Sequence, residues 1–230
     1  MWLQRLRQRA HYLHYLRDGH PEAELQRLIE STTASRRTAW QQARWLALDI
    51  ETTGLNPEQD EIVSIGWVAI DAGRIQLASL KQVLVRSRES VGGSATIHYL
   101  TDNELDQGAT LRKALLALAD ALAGRIAVVH HRRLDEAFLR RAFMQHFGLP
   151  LRHPMVDTLQ LEKRKLTRKM AVLPRGSLRL SECRKRYTLP GHDLHNAAQD
   201  ALACAELFIA WAAHQSNKGP SVGECMRAGR

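Results

Sequence analysis

Three strand-like segments follow one another without an intervening helix, and this order constrains the fold more than any other feature of the sequence. The run WLALDI at 45–50 is short and apolar, and EIVSIGWVAI at 61–70 is a second such run. The turn DAG at 71–73 leads directly into RIQLASLKQVLV at 74–85, which predicts a hairpin. Two later short strands, IAVVH and PMVDTL, alternate with helices. The order predicts a mixed central sheet with helices on both faces.

The helical segments define the rest of the chain. LRKALLALADALAG and LDEAFLRRAFMQHFG each end at a glycine, SLRLSECRKRY is a third candidate, and HNAAQDALACAELFIAWAAH is the most regular. The predicted order is therefore β-β-β-α-β-α-β-α-α. We expect residues 1–44 to form an N-terminal helical extension and residues 45–215 to form the main domain. The polar residues 216–230 are predicted to be a flexible tail.

The net charge of +9 permits a polyanionic partner, and the basic residues are concentrated in one segment. Residues 162–186, the basic window, contain ten Lys or Arg and two Glu. Both a solvated helix face and a nucleic-acid-binding surface fit such a run. Cys183, Cys204 and Cys225 lack framework spacing, which favours reduced thiols and a cytoplasmic location. Neither a membrane-spanning run nor a secretory signal is predicted.

Asp49 and Glu51 stand at the end of the first predicted strand. Strand alternation directs both side chains to the same side, where two close carboxylates repel each other and favour a counter-charge. A divalent cation supplies that charge, and hard oxygen ligands suit Mg²⁺ or Mn²⁺. Solvated acids at a strand-end turn are the simpler interpretation of an isolated pair.

Two further acids follow histidines at the same spacing. His130 ends the fourth strand and Asp135 opens the next helix, while His195 precedes Asp200 at the start of the last helix. Taken alone, Asp135 also fits a carboxylate favoured by the helix dipole. Likewise, His195 alone fits a helix cap or a partly buried histidine.

These segments resemble the three motifs of the DEDDh exonucleases, the group similar to the proofreading epsilon subunit of bacterial DNA polymerase III. The motifs are LDIETTGL, H-x4-D at 130–135 and H-x4-D at 195–200. The resemblance covers about residues 45–212 and implies an α/β, ribonuclease H-like fold, a mixed five-stranded sheet flanked by helices. His131 and Leu134 stand where the family usually has Asn and Phe, a departure that concerns local substrate contacts.

The resemblance implies a 3′→5′ exonuclease that hydrolyses single-stranded nucleic acid, DNA favoured, to nucleoside 5′-monophosphates, with a role in DNA repair. By the same resemblance, Asp49, Glu51 and Asp200 hold one Mg²⁺ or Mn²⁺, and Asp49 and Asp135 hold a second. His195 is the expected general base. The N-terminal helices are a candidate surface for a protein partner.

Substrate contacts are predicted from the resemblance and from charge. The turn after the first motif, Thr52, Thr53 and Leu55, is expected to contact the terminal nucleotide, and His98 is a weaker candidate that also fits an ordinary loop histidine. Five basic side chains are expected to hold the phosphate backbone: Lys163, Arg164, Lys165, Arg168 and Lys169.

Two alternatives come from other functional classes. One is a non-catalytic nucleic-acid-binding domain of the same fold, which needs no clustered carboxylates. The other is a metal-dependent nucleotide phosphatase, which has no use for a long basic window. The acids and the basic window therefore favour a nuclease over either alternative.

Overall fold

The computed structural model describes residues 22–86, 108–168, 170–191, 196–215 and 218–230. Five strands form one sheet: β1 (Trp45–Thr52), β2 (Ile62–Asp71), β3 (Arg74–Leu84), β4 (Ile126–Val129) and β5 (Met155–Asp157). Over the described residues, the α-helices are α1 (Ala23–Glu30), α2 (Leu111–Leu122), α3 (Arg132–Phe147), α4 (Thr158–Thr167), α5 (Leu180–Lys185), α6 (Ala197–Ala213) and α7 (Val222–Ala228).

The strands are arranged in the order β3-β2-β1-β4-β5. β1 pairs antiparallel with β2 and parallel with β4, and β4 pairs parallel with β5. A two-residue turn joins β2 to β3, with positive φ at both Ala72 and Gly73, as hairpin turns of this kind require. The mixed sheet is confirmed, and so is the predicted order of elements as far as β5. After β5 the described residues form four helices where two were predicted, because α4 begins at Thr158, inside the predicted fifth strand, and α7 lies in the predicted tail.

Two cores lie on opposite faces of the sheet, and β1 contributes to both. Leu46, Leu48 and Ile50 pack with α2 and α3, whereas Trp45 and Ala47 pack with α6. This alternation has a period of two residues, so the side chains of the odd-numbered residues of β1 point towards α6. The two acids of the strand therefore share the face that carries α6.

The described part of the N-terminal extension covers one face of the domain. Leu25 of α1 is buried in the core formed with α2 and α3, and Arg27 donates to Asp120 at 2.7 Å. Residues 1–21 of the predicted helical extension lie outside the described residues. No helix in the described ranges combines the length and apolar content needed to cross a bilayer.

The C-terminal residues differ from the predicted flexible tail. Ser221 and Glu224 form a complete capping box at the start of α7, and Val222 and Cys225 are fully buried. The carbonyl oxygen of Gly229 accepts a hydrogen bond from the backbone N–H of Asp157 at 3.0 Å. The short helix is stable because it buries apolar side chains against β5 and α4, which its glycine-containing, polar composition did not indicate.

Candidate active site

The carboxyl ends of the inner strands β1 and β4 lie side by side at one end of the sheet, and α6 packs over them. Carboxylate oxygens of Asp49, Glu51 and Asp200 come within 4.8 Å of one another. Asp49 and Glu51 reach this point because both project from the α6 side of β1, and Asp200 stands in the first turn of α6. Three acids predicted to act together are thus adjacent in space, although one is separated from the others by about 150 residues of sequence.

A glycine in β2 allows α6 to reach the sheet. Gly66 pairs with Asp49 across the strands. A Cβ atom added to it would meet backbone atoms of Ala197 and Ala198 more than 1 Å inside the 3.4 Å at which ordinary contact begins. Asn196 caps the helix there, and its side chain accepts from the N–H groups of Ala198 and Gln199. The first turn of α6 therefore rests directly on the β2 backbone.

Asp135 supplies a fourth carboxylate from the first turn of α3. Its side chain is buried, and its Oδ2 atom has no hydrogen-bond partner among the described residues. Burial raises the pKa of Asp135 well above its ordinary value, and the charges of Asp157 and Glu51 raise it further. A buried carboxyl group with an unpaired oxygen is costly, and it has the chemistry of a ligand that lacks its cation.

The acids also raise the pKa of Asp49. Burial is the largest cause, followed by the charges of Asp135, Glu51 and Asp200. Asp49 and Asp135 are therefore harder to ionise than ordinary aspartates, and a nearby counter-ion would favour their charged forms. Closely spaced hard oxygen donors fit Mg²⁺ or Mn²⁺, so the residues present suit the predicted ions.

Asp157 is a buried acid beside the cluster that the sequence analysis missed. It is buried, and its carboxylate accepts backbone N–H groups from His131 at 3.1 Å, Arg132 at 3.2 Å and Leu159 at 2.9 Å. It thereby caps α4 and holds the start of α3, where His131 adopts φ +81°. This capping fixes the turn from which Asp135 follows. An acid at a strand end before a helix is the local signal of such a cap.

His130, the histidine of the second motif, is half-buried and hydrogen-bonded at both ring nitrogens. Its Nδ1 lies 2.8 Å from the Thr158 hydroxyl, and its Nε2 lies 2.9 Å from the Leu178 carbonyl oxygen. Burial lowers the pKa of His130 below its ordinary value, which keeps the ring neutral at neutral pH. The histidine therefore ties the end of β4 to α4 and to the segment before α5.

The predicted nucleotide-contact residues of the first turn divide into two kinds. Thr52 donates its hydroxyl to the Gly54 carbonyl oxygen at 2.6 Å, and the Thr53 hydroxyl accepts from the N–H of Glu61 at 3.0 Å. These threonines hold the turn in shape, whereas the side chain of Leu55 is 78% exposed. Three predicted residues lie outside the described ranges: His98, Lys169 and His195.

The basic window is divided between surface and interior. Lys163, Arg164 and Arg168 are exposed. By contrast, Lys165 donates to the Tyr187 hydroxyl at 3.0 Å and lies 4.1 Å from the centre of its ring.

The interior part of the basic window joins α4 to α5. Glu162 is fully buried and accepts from Tyr187 at 2.6 Å and from Arg186 at 2.8 Å. Arg184 is also buried and pairs with Glu206 of α6 at 2.6 Å. These basic side chains therefore hold helices together and do not project into solvent.

The chain is similar in sequence to exonucleases and to DNA polymerase III proteins. The sequence model of the RNase_T family, described as an exonuclease, matches residues 46–208. A DNA polymerase III subunit epsilon from Treponema pallidum is 29% identical over 78% of this chain and 80% of its own length. A PolC-type DNA polymerase III from Thermotoga petrophila is 30% identical over 75% of this chain. The chain spans only 12% of the length of that polymerase.

Solved structures share the fold. E. coli exonuclease I, in its zinc-bound complex with single-stranded DNA, matches with a TM-score of 0.63 at 16% identity, over 75% of this chain and 41% of that chain. An exonuclease I from Methylocaldum szegediense matches with a TM-score of 0.61 at 15% identity, over 75% of this chain and 41% of that one. The likeness confirms the predicted ribonuclease H-like sheet.

Proposed function

Because the chain belongs to the RNase_T exonuclease family and carries its nuclease domain, we propose that it removes nucleotides one at a time from the 3′ end of single-stranded nucleic acid, DNA in the first instance, and releases nucleoside 5′-monophosphates. The observation that carries the proposal is the convergence of Asp49, Glu51 and Asp200 within 4.8 Å beside the buried Asp135. The exonuclease I relative whose structure includes single-stranded DNA supports the choice of substrate.

The acids would hold the ions that the chemistry needs. Asp49, Glu51 and Asp200 would bind one Mg²⁺ or Mn²⁺, and Asp49 and Asp135 the second. Two such ions supply a counter-charge for the phosphate and favour ionisation of water at neutral pH. Ion binding would favour the ionised forms of Asp49 and Asp135, whose pKa values are raised by burial and by neighbouring acids.

The remaining predicted residues would position the attacking water and the nucleic-acid strand. His195 would accept the proton of the attacking water, since an ordinary histidine pKa near 6.5 suits a base at neutral pH. The exposed Leu55 would pack against the terminal base. The exposed Lys163, Arg164 and Arg168 would hold the phosphate backbone, while Thr52 and Thr53 keep the turn in shape.

The test is digestion of 5′-labelled single-stranded DNA, RNA and duplex with Mg²⁺ or Mn²⁺, resolved by product length. We expect a ladder of products shortened from the 3′ end, no cutting of a circular single strand, and complete loss of activity with chelator. Asp200→Asn should lose at least 99% of turnover, since the acids act as a unit. Asp120→Asn is the matched control, because it removes one exposed carboxylate far from the cluster in the fold.

Four outcomes would contradict the proposal. Rapid cutting of the circle would indicate an endonuclease, and release of inorganic phosphate from mononucleotides in place of oligomer cleavage would indicate a phosphatase. Binding of single strands without metal-dependent cleavage would indicate a non-catalytic domain. Asp200→Asn with a tenth or more of wild-type turnover would show that the acid assignment is wrong.

A further inference from the structure

An apolar cavity of about 490 Å³ lies beside the acidic cluster and is open to solvent on one side. Its apolar walls come from Leu159 of α4 and from Leu173, Pro174 and Leu178 of the segment before α5. Its volume falls within the range of about 300–1,000 Å³ that is usual for small-molecule sites. We call it the side cavity.

The side cavity is adjacent to the acids and its walls are already in place. His131 and Leu159 line it, and the backbone N–H groups of both donate to Asp157, the carboxylate whose charge acts on Asp135. The outer wall is held by the His130 ring on the Leu178 carbonyl oxygen at 2.9 Å. Arg186 also donates to the Ser177 carbonyl oxygen at 2.9 Å.

The chemistry of the walls fits a nucleotide. Arg179 lines the cavity and is exposed, Arg175 is exposed in the same segment, and residues 170–181 contain no acid. An apolar hollow with cations at its rim accepts a flat base while a phosphate remains on the rim. Ser177 also lines the cavity, and its hydroxyl is buried and has no hydrogen-bond partner among the described residues.

We propose that the side cavity binds the base of a nucleotide upstream of the 3′-terminal one, with Arg179 on an adjacent phosphate. The inference rests on the proposed function and extends it from the terminal nucleotide to the strand behind it. A strand held at two points, the acidic cluster and the side cavity, is kept in line for successive cleavages.

The direct test is binding, which needs no chemistry. We would measure the fluorescence anisotropy of a labelled dT oligonucleotide with Ca²⁺ in place of Mg²⁺, for the wild type, Leu173→Ala and Arg179→Gln. Each variant should weaken binding by about tenfold, the size expected for the loss of a few apolar carbons from a base contact or of one charge-assisted hydrogen bond to a phosphate. Val172→Ala is the matched control, because Val172 is 80% exposed and does not line the cavity.

A scan with abasic sites locates the base. A series of oligonucleotides would each carry one abasic site, at successive positions from the 3′ end. The wild type should bind one of them more weakly than the rest, the one whose missing base would occupy the side cavity. Leu173→Ala should bind that oligonucleotide no more weakly than the others. Variants that bind all oligonucleotides as tightly as the wild type would overturn the proposal. An abasic effect that is equal in wild type and Leu173→Ala would overturn it as well.

Catalysis separates this proposal from the proposed function. Thymidine 5′-(4-nitrophenyl phosphate) has a single nucleotide, so its hydrolysis needs only the terminal site. We expect both variants to keep wild-type kcat and KM for this ester and to raise KM for oligonucleotides. Loss of ester hydrolysis in the variants would reveal damage to the acidic site and overturn the assignment. Failure of the wild type to cleave either substrate would reject the proposed function, while the binding arms would still decide the side cavity.

Discussion

Gly66→Ala tests whether the absence of a side chain at this position of β2 determines where the start of α6, and with it Asp200, lies. The new methyl group would overlap the backbone of Ala197 and Ala198 by more than 1 Å. No side-chain rotation relieves an overlap with backbone, so the start of α6 has to retreat by about 1 Å. Asp200 lies in that first turn and moves with it, away from Asp49.

The expected loss of activity follows from this displacement. A misplacement of about 1 Å costs on the order of 10²-fold in rate, so turnover of Gly66→Ala should fall by about that factor. Apparent Mn²⁺ affinity should fall as well, because one carboxylate leaves the cluster. Overpacking destabilises by about 1–3 kcal/mol, which a folded domain of this size tolerates, so the variant should remain folded at assay temperature.

The assay is turnover on a single-stranded oligonucleotide against Mn²⁺ concentration, with circular dichroism to confirm folding. Gly191→Ala is the matched control, because a methyl group there meets no atom of the described residues within 4 Å. Wild-type turnover and Mn²⁺ affinity in a folded Gly66→Ala would refute the reasoning. The contact between α6 and β2 would then have no part in positioning Asp200.

Three further predictions concern charge. Because burial and its acidic neighbours raise the pKa of Asp49 above 3.8, the metal-free protein should lose stability as the pH rises from near 4 through that raised pKa. Asp49→Asn should reduce this loss in thermal unfolding at pH 5 and pH 8, and an equal loss in both proteins would contradict the assignment. His195→Ala should keep oligonucleotide binding, lose about 10²-fold or more in turnover and lose the acidic limb of the pH–rate profile; a near-normal profile would make the histidine structural. Neutralising Lys163, Arg164 and Arg168 together should reduce the slope of log affinity against log salt by about 2, whereas an unchanged slope would leave them as a solvated face.

The sequence allowed the order of elements as far as β5 to be predicted, because this order depends on local patterns. The convergence of Asp200 with the two acids of β1 was implied by the family resemblance of the three motifs, since no local pattern relates the start of α6 to β1. Alternation along β1 places Asp49 and Glu51 on one side whatever the rest of the fold does. The glycines that end α2 and α3 mark helix ends by their positive φ. Such signals span only a few residues and need no knowledge of distant partners.

The features that escaped prediction depend on distant contacts. Lys165 belongs to a run of basic residues in sequence, and only its contact with Tyr187 shows that it faces the protein. Asp157 caps α4, which follows β5, and also holds the start of α3, which follows β4. The residues of α7 were assigned to a tail because their polar composition hides two buried side chains, Val222 and Cys225.

The route by which the acids come together has a consequence for the newly made protein. β1, β2 and β3 form from neighbouring stretches of chain, but β1 meets β4 about 80 residues later and Asp200 about 150 residues later. Contacts of such long sequence separation form late in folding. Under the proposed assignment of the acids, the set of metal ligands is incomplete until α6 docks over Gly66. We therefore expect nuclease activity only from the finished domain, and we expect partly folded copies to leave nucleic acid intact.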